Sequence, residues 1–148
     1  MKYCLAAALL SSLLGVAGCA NTLSSSPGSS AATLYDDLGQ GPGIAALVDQ
    51  FLWRLADDER VNQRFAETNI TRFREKLNEQ FCVLSGGPCI YTGDSMREVH
   101  AGHDIREAQF NAVVEDLIEA MESLDIATGT QNRLLAVLAP LHGDIVAR

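Results

Sequence analysis

The chain has 148 residues, of which 47% are hydrophobic, and its formal net charge is −8 at pH 7. This length has room for one domain, and the hydrophobic content is sufficient for a single compact core. An acidic surface repels phosphate backbones and anionic lipid headgroups, so the charge argues against nucleic acid as a partner.

Residues 1–18 have the pattern of a secretory signal peptide. The apolar run from Leu5 to Val16 is shorter than the roughly 20 residues that span a bilayer. The sequence VAGC at 16–19 resembles a lipobox, so we expect Cys19 to become the acylated first residue of a lipoprotein in the cell envelope. By resemblance to sorted lipoproteins, Ala20 rather than aspartate at the next position implies the outer membrane, facing the periplasm, in a cell that has one. An ordinary signal peptide with an incidental cysteine is the alternative.

Residues 19–32 are predicted to be the acylated cysteine and a flexible linker, because they contain too little apolar surface to fold. Such a linker has a root-mean-square reach on the order of 20 Å. Residues 33–148 contain no internal repeat and are predicted to form one domain, the part of the chain that folds. Their apolar spacing is helical throughout and strand alternation is not sustained, which predicts an all-α fold.

Two cysteines remain in the mature domain after removal of Cys4 and acylation of Cys19. Cys82 and Cys89 flank the reversal Gly86-Gly87-Pro88, in a compartment that permits disulfides. The sequence is compatible with a disulfide between them and equally with Cys82 as a small buried hydrophobe.

The first half of the domain begins with a short helical turn, Leu34 to Leu38, closed by glycines. Apolar residues then recur at intervals of three and four, which predicts a helix ending at Asp57-Asp58. A further helix is expected to begin near Asn69 or Thr71, either of which can cap it. Its predicted buried stripe consists of Ile70, Phe73, Leu77, Phe81 and Leu84.

The second half contains a short segment around His100 and two longer helices. The first runs through Phe110 and Met121, and its pattern predicts the longest helix of the chain. The second is expected to be capped by Thr128 or Thr130. Pro140 lies inside that last helix and should bend it, because proline removes a backbone donor and crowds the preceding turn. Four substantial helices suggest two antiparallel pairs packed across each other.

Several motifs distributed over Leu34 to Ile145 point to one family. They are LYDDLG at the start, FxxRLADDERV in the second helix, GGPxxYTG, MxxVHxGxxI and the following Phe110. Together they closely resemble the group I truncated haemoglobins. The resemblance implies a truncated globin fold, which is a two-over-two helical sandwich, and haem b (iron protoporphyrin IX) as the cofactor.

The resemblance also implies roles for individual residues. His100 occupies the position of the proximal iron ligand, and Lys76 matches a position from which truncated globins reach a haem propionate. A structural histidine and a solvated surface lysine are the respective alternatives. The apolar positions that correspond to the haem pocket, and that could equally be ordinary core, are Phe51, Leu52, Phe73, Leu77, Phe81, Ile105, Phe110 and Val113.

The distal side departs from the family pattern. Many group I members place a tyrosine and a glutamine where this chain has Leu52 and Leu77, and Trp53 should point elsewhere on the helix. Hydrogen-bond donors worth roughly 1–3 kcal/mol are thereby lost, so oxygen should be released about tenfold to a hundredfold faster than from a pocket with donors. His103 and His142 are not expected to be sixth ligands, and His142 is expected to be solvated.

These features predict an envelope haem protein that reversibly binds oxygen or another diatomic gas, carbon monoxide or nitric oxide. An oxygen-carrier role is possible on this basis, and so is nitric oxide dioxygenase activity. The latter needs an external electron donor, because the chain has no flavin or nicotinamide motif. One alternative is a copper-binding lipoprotein that uses Met96, His100 and His103. The other is a globin-shaped sensor or scaffold without cofactor.

Overall fold

The computed structural model describes residues 32–146, and every regular element in that range is helical. The α-helices are α1 (Leu34–Asp37), α2 (Gln40–Asp57), α3 (Ile70–Leu84), α4 (Met96–His100), α5 (Glu107–Ser123), α6 (Thr128–Leu138) and α7 (His142–Ile145). Short 3₁₀ helices occupy Asn62–Phe65 and Ala139–Leu141. The prediction of an all-α domain is therefore confirmed.

The predictions about the N-terminus concern residues that the structure does not describe. The signal peptide, Cys19 and the linker up to residue 31 all lie outside the described range. Among residues 32–146, no helix combines the length and the apolar character needed to cross a bilayer.

Helix α2 forms where the sequence predicts it. Its residues Ile44, Leu47, Val48, Phe51 and Leu55 are buried, and the helix ends at Asp57 with Asp58 as its C-cap. Near the start of α2 the backbone at Gly43 lies close to the backbone of Leu38. A Cβ on Gly43 would lie 1.9 Å from the carbonyl oxygen of Leu38, so only glycine fits there. With 18 residues against 17 in α5, α2 is the longest described helix, and the prediction that α5 is the longest is wrong.

The four long helices α2, α3, α5 and α6 pack around one apolar core. Helix α2 packs against both α3 and α5, and α3 also contacts α6. Buried Leu77, Phe81, Leu117, Met121 and Leu134 join the apolar face of α2 in this core.

Three local predictions are corrected by the structure. Ile70 is 51% exposed rather than buried, because it is the first residue of α3 and the core contacts begin one turn later. Helix α6 begins at Thr128 after Ala127, so neither Thr128 nor Thr130 is its cap. At Pro140 the helix is interrupted by a 3₁₀ turn, which separates α6 from α7 rather than bending one helix. By contrast, Asn69 caps α3 as predicted, accepting a hydrogen bond from the Arg72 backbone N–H.

A disulfide closes the loop that follows α3. Cys82 and Cys89 are bonded, which decides between the two interpretations of the sequence. Gly86 allows the reversal, because its φ of +86° is a left-handed conformation that favours glycine.

Reduction of this disulfide is expected to lower the free energy of unfolding by about 2–3 kcal/mol, from the loop-closure entropy of a loop of this size. Guanidinium unfolding of the protein with and without reductant measures the effect. A Cys89→Ala variant serves as the control, because its midpoint should not respond to reductant. Identical midpoints for oxidised and reduced wild type would contradict the expectation.

One carboxyl group is buried between α2 and α5. Asp116 is only 4% exposed, and its Oδ2 atom has no hydrogen-bond partner among the described residues. It interacts with Asp58 at the C-terminal end of α2. Burial, reinforced by the negative charge of Asp58, raises the pKa of Asp116 to about 6.

The raised pKa of Asp116 predicts a pH-dependent contribution to stability. Because the folded protein holds this proton more tightly than the unfolded chain, the contribution is fully present below pH 4 and is lost as the pH rises through about 6. Its size is at most about 3 kcal/mol. Unfolding free energies between pH 4 and pH 8 should therefore show a steeper decline in wild type than in Asp116→Asn. The exposed control Glu122→Gln, on the same helix, should follow wild type, and equal slopes for Asp116→Asn and wild type would refute the assignment.

Candidate functional site

His100 is the last residue of α4, and its ring is oriented by the helix itself. The Nδ1 atom lies 2.7 Å from the carbonyl oxygen of Met96. A carbonyl oxygen only accepts hydrogen bonds, so Nδ1 carries the proton and donates, which leaves the lone pair on Nε2. A half-buried imidazole held with Nδ1 as the donor is suited to ligate a metal through Nε2.

Helix α4 is short and is held in place by its neighbours. Ser95 and Glu98 form a capping box at its N-terminus, with the Ser95 hydroxyl and backbone N–H both donating to the Glu98 carboxylate. Arg97 pairs with Asp144 of α7 at 2.5 Å. Gln80 of α3 donates to the sulfur of Met96 at 3.4 Å. These contacts fix the position from which His100 projects.

The eight apolar residues predicted for the pocket fall into two groups. Phe51, Leu77 and Phe81 are buried in the core, whereas the other five are half-buried: Leu52, Phe73, Ile105, Phe110 and Val113. Half-buried large apolar side chains at predicted pocket positions leave apolar surface available to a ligand.

A cavity of about 330 Å³ brings some of these residues together. Leu52 and Phe73, two of the eight predicted pocket residues, line this cavity. Phe73 stacks on Phe65, with ring centroids 5.5 Å apart. The complete lining is Leu52, Leu55, Ala56, Asn62, Gln63, Phe65, Ala66, Ile70 and Phe73. His100, Ile105, Phe110 and Val113 do not line this cavity. The sequence patterns did not predict Phe65, Asn62 or Gln63 as pocket residues, because they belong to a short 3₁₀ helix that has no periodicity of its own.

The predicted distal positions provide no hydrogen-bond donor from α2 or α3. Leu52 borders the cavity and Leu77 is buried, and neither side chain carries a polar atom. Trp53 points away, as predicted, since it is 57% exposed and the Arg54 guanidinium lies 5.4 Å from its ring. The polar lining of this cavity comes from Asn62 and Gln63 instead.

Lys76 is held beside the loop that leads to α4. Its Nζ donates to Glu79 at 2.8 Å and to the Thr92 hydroxyl at 2.5 Å. The hydrogen bond from Lys76, helped by the backbone N–H of Thr92, lowers the pKa of Glu79 to about 2, and Glu79 in turn raises the pKa of Lys76. Lys76 therefore remains cationic, as a propionate partner must, but Glu79 competes for it. No local pattern predicts this contact to Thr92, which lies 16 residues from Lys76.

His142 is placed differently from the sequence expectation. Its Nε2 lies 3.0 Å from the Glu107 carboxylate, and its ring packs edge-on against Phe110 with centroids 4.7 Å apart. It is therefore partly packed rather than simply solvated. Thirty-five residues separate His142 from Glu107, so no local pattern could have indicated the pair.

Met96, His100 and His103, which the copper hypothesis proposed as ligands, are not arranged as a metal site. Met96 accepts a hydrogen bond at its sulfur, His100 uses Nδ1 to donate to Met96, and the His103 side chain is exposed. Within residues 32–146, no group of three or more His, Cys, Asp or Glu side chains could hold a metal ion.

Comparisons with known proteins agree with this arrangement. The family model described as bacterial-like globin matches residues 33–147. The group 1 truncated hemoglobin GlbN of Mycolicibacterium paratuberculosis is 32% identical over 77% of this chain and 84% of its own length. The corresponding protein of a Nostoc species is 34% identical over 77% of this chain and 97% of its own length.

A solved structure supports the fold independently. The truncated hemoglobin from Tetrahymena pyriformis, in its Fe(III) form, superposes with a TM-score of 0.76 at 26% identity. The match covers 79% of this chain and 100% of that one. The predicted two-over-two fold is thereby confirmed.

Proposed function

The chain belongs to the bacterial-like globin family, among the group I truncated haemoglobins, and we propose that it binds haem b through His100 and reversibly binds oxygen or another diatomic gas. Haem supplies an iron centre with a free coordination position for such a gas. The residues of this chain supply the axial ligand, the apolar slot and the charge at the rim.

The observation that carries the proposal is the hydrogen bond from His100 Nδ1 to the Met96 carbonyl at 2.7 Å. It sets the tautomer that a haem ligand requires, because the coordinating nitrogen must carry a lone pair. The same bond holds the ring in place before any cofactor arrives. The residues present therefore fit the group.

The apolar residues predicted for the pocket would provide the flat apolar surface that haem requires. Leu52, Phe73, Ile105, Phe110 and Val113 are half-buried, and a flat apolar ligand would cover them. Phe51, Leu77 and Phe81 support them from the core. Lys76 has the charge to hold a propionate, in exchange for its present contact with Glu79.

We propose that the physiological role is gas binding rather than turnover. Leu52 and Leu77 leave the distal side without the donors that prolong oxygen binding, which suits a fast-releasing oxygen carrier. Nitric oxide detoxification would require an electron donor from another protein.

The proposed location is the cell envelope, with the chain anchored through acylated Cys19. Support comes from the apolar run at Leu5–Val16 and the lipobox-like sequence at 16–19. The acidic net charge is also consistent with an anchor that relies on a lipid chain rather than on attraction to anionic headgroups.

Absorption spectroscopy tests haem binding directly. Purified protein supplied with hemin should show an intense band near the blue edge of the visible range, and the band should shift on reduction and again with carbon monoxide. Protein that leaves the column colourless after hemin addition would refute the proposal. A copper protein would lack the intense band, so the same spectra separate the two alternatives.

A further inference from the structure

An uncharged loop with an exposed apolar tip follows α3. We define the disulfide loop as Ser85–Gly93. From Gln80 to Gly93 the sequence contains no Asp, Glu, Lys, Arg or His, although the chain as a whole is 20% charged. Ile90, within this loop, is 78% exposed, more than any other large apolar side chain among the described residues. Val83, in the last turn of α3, adds further exposed apolar surface.

The disulfide loop is fixed rather than loosely attached. The bond between Cys82 and Cys89 closes it, and the Gly87 N–H donates to the Cys82 carbonyl at 2.8 Å. Gly87 also packs so closely on Tyr35 that a Cβ there would lie 2.6 Å from the aromatic ring. Ile90 is therefore presented at a defined place on the domain surface.

That place is next to the point where the chain enters the folded domain. The Tyr35 N–H donates to the carbonyl oxygen of Ser85 at 3.0 Å, which joins α1 to the start of the disulfide loop. Thr33, two residues before Tyr35, is the N-cap of α1. The described part of the chain thus begins, at residue 32, on the side of the domain that carries the disulfide loop.

The length of the linker makes this side the one closest to an anchoring membrane. A linker of this length has a root-mean-square reach on the order of 20 Å. A domain of this size has a radius of gyration of about 13 Å. With Cys19 in the lipid, the surface around Thr33 and the disulfide loop therefore meets the headgroups more often than the far side does.

Charges near the disulfide loop are largely compensated. Asp37 pairs with Arg133 of α6, and Lys76 pairs with Glu79. Asp36 is engaged by Thr33 and Gln40 through hydrogen bonds. Asp94, which directly follows the loop, is exposed. A contact with lipid is therefore limited to the loop itself, with Asp94 left in the hydrated headgroup layer.

We propose that the disulfide loop, with Ile90 at its tip, is a membrane-contact site that inserts into a neutral phospholipid surface beside the Cys19 anchor. The inference rests on the proposed acylation of Cys19. Neutral rather than anionic lipid is the partner, since the net charge of −8 opposes anionic headgroups. The contact would orient the domain on the membrane, which the linker by itself does not do.

Photo-crosslinking of the full-length lipoprotein tests the contact. The protein, processed in the cell and purified, is reconstituted into phosphatidylcholine vesicles that contain a phospholipid with a diazirine in its acyl chain. After illumination, mass spectrometry locates the modified peptides. We expect several-fold more cross-linking in the peptide with Ile90 than in the peptide with Glu67. Glu67 is the reference because it precedes the opposite end of α3, roughly 20 Å away at 1.5 Å per residue.

Two matched variants complete the test. Ile90→Asp should lose cross-links in the disulfide loop while the protein stays on the vesicles through Cys19, and Leu124→Asp, an exposed leucine after α5, should behave as wild type. Evenly distributed cross-links, or an Ile90→Asp pattern equal to wild type, would overturn the loop contact alone. A mature chain without the acyl mass at Cys19 would overturn the anchor and this inference together. The hemin spectra report on the gas-binding proposal independently of either result.

Discussion

Replacing His100 by alanine is expected to abolish haem retention while leaving the domain folded. The physical reason is the loss of the one nitrogen that the structure prepares for coordination, with Nδ1 already bound to the Met96 carbonyl. Loss of a hydrogen-bond partner behind a metal ligand costs about 10–100-fold in affinity, so loss of the ligand itself should cost at least about a hundredfold. Hemin titration followed by gel filtration measures the retained fraction.

The matched control is His103→Ala, because the His103 side chain is exposed and lies just beyond α4. This variant should retain haem as wild type does. His100→Gly supplied with free imidazole should recover part of the haem absorption, which distinguishes a lost ligand from a damaged fold. Full haem retention by a folded His100→Ala protein would show that another residue is the ligand.

The second large effect is expected at the distal side. Leu52→Tyr should slow oxygen dissociation from the haem-loaded protein by about tenfold to a hundredfold, because a phenol hydroxyl adds a donor worth roughly 1–3 kcal/mol. Leu52 is a favourable position for this change, since it is half-buried and borders the cavity that Phe65 and Phe73 also line. Stopped-flow mixing measures the rate.

Leu52→Phe is the control for the added ring, because it changes volume without adding a hydroxyl. Its oxygen dissociation rate should stay close to that of wild type. Carbon monoxide dissociation should respond less than oxygen dissociation in the tyrosine variant. A slow oxygen dissociation rate in wild type would instead mean that a donor is already present, and Asn62 and Gln63 in the cavity lining are then the residues to replace.

Much of the helical framework could be predicted from local patterns. The spacing of Ile44, Leu47 and Phe51 gave the buried face of α2, and Asn69 gave the start of α3. These predictions succeeded because helix periodicity and capping involve residues within a few positions of one another. The site residues inferred from family resemblance remain predictions about haem contact, although the structure places five of the apolar ones at half-buried positions.

Other features escaped local reasoning because they depend on which segments meet. Ile70 follows the periodic stripe of α3 but is 51% exposed, since the neighbouring helices cover only the later turns. Lys76 and Glu79 share a contact with Thr92 that exists only because the loop after α3 folds back. The packing of His142 on Phe110 needs α7 to return to the start of α5.

By itself the sequence determined an acidic, all-helical domain, the end of α2, the start of α3 and the histidine to which the family motif points. It could do so because charge, periodicity and short motifs are properties of neighbouring residues. Only the tertiary structure decided the tautomer of His100, the disulfide, the partners of Lys76 and the position of the disulfide loop beside α1. Those depend on distances between segments that are far apart in the chain, which packing of the core sets and no local pattern records.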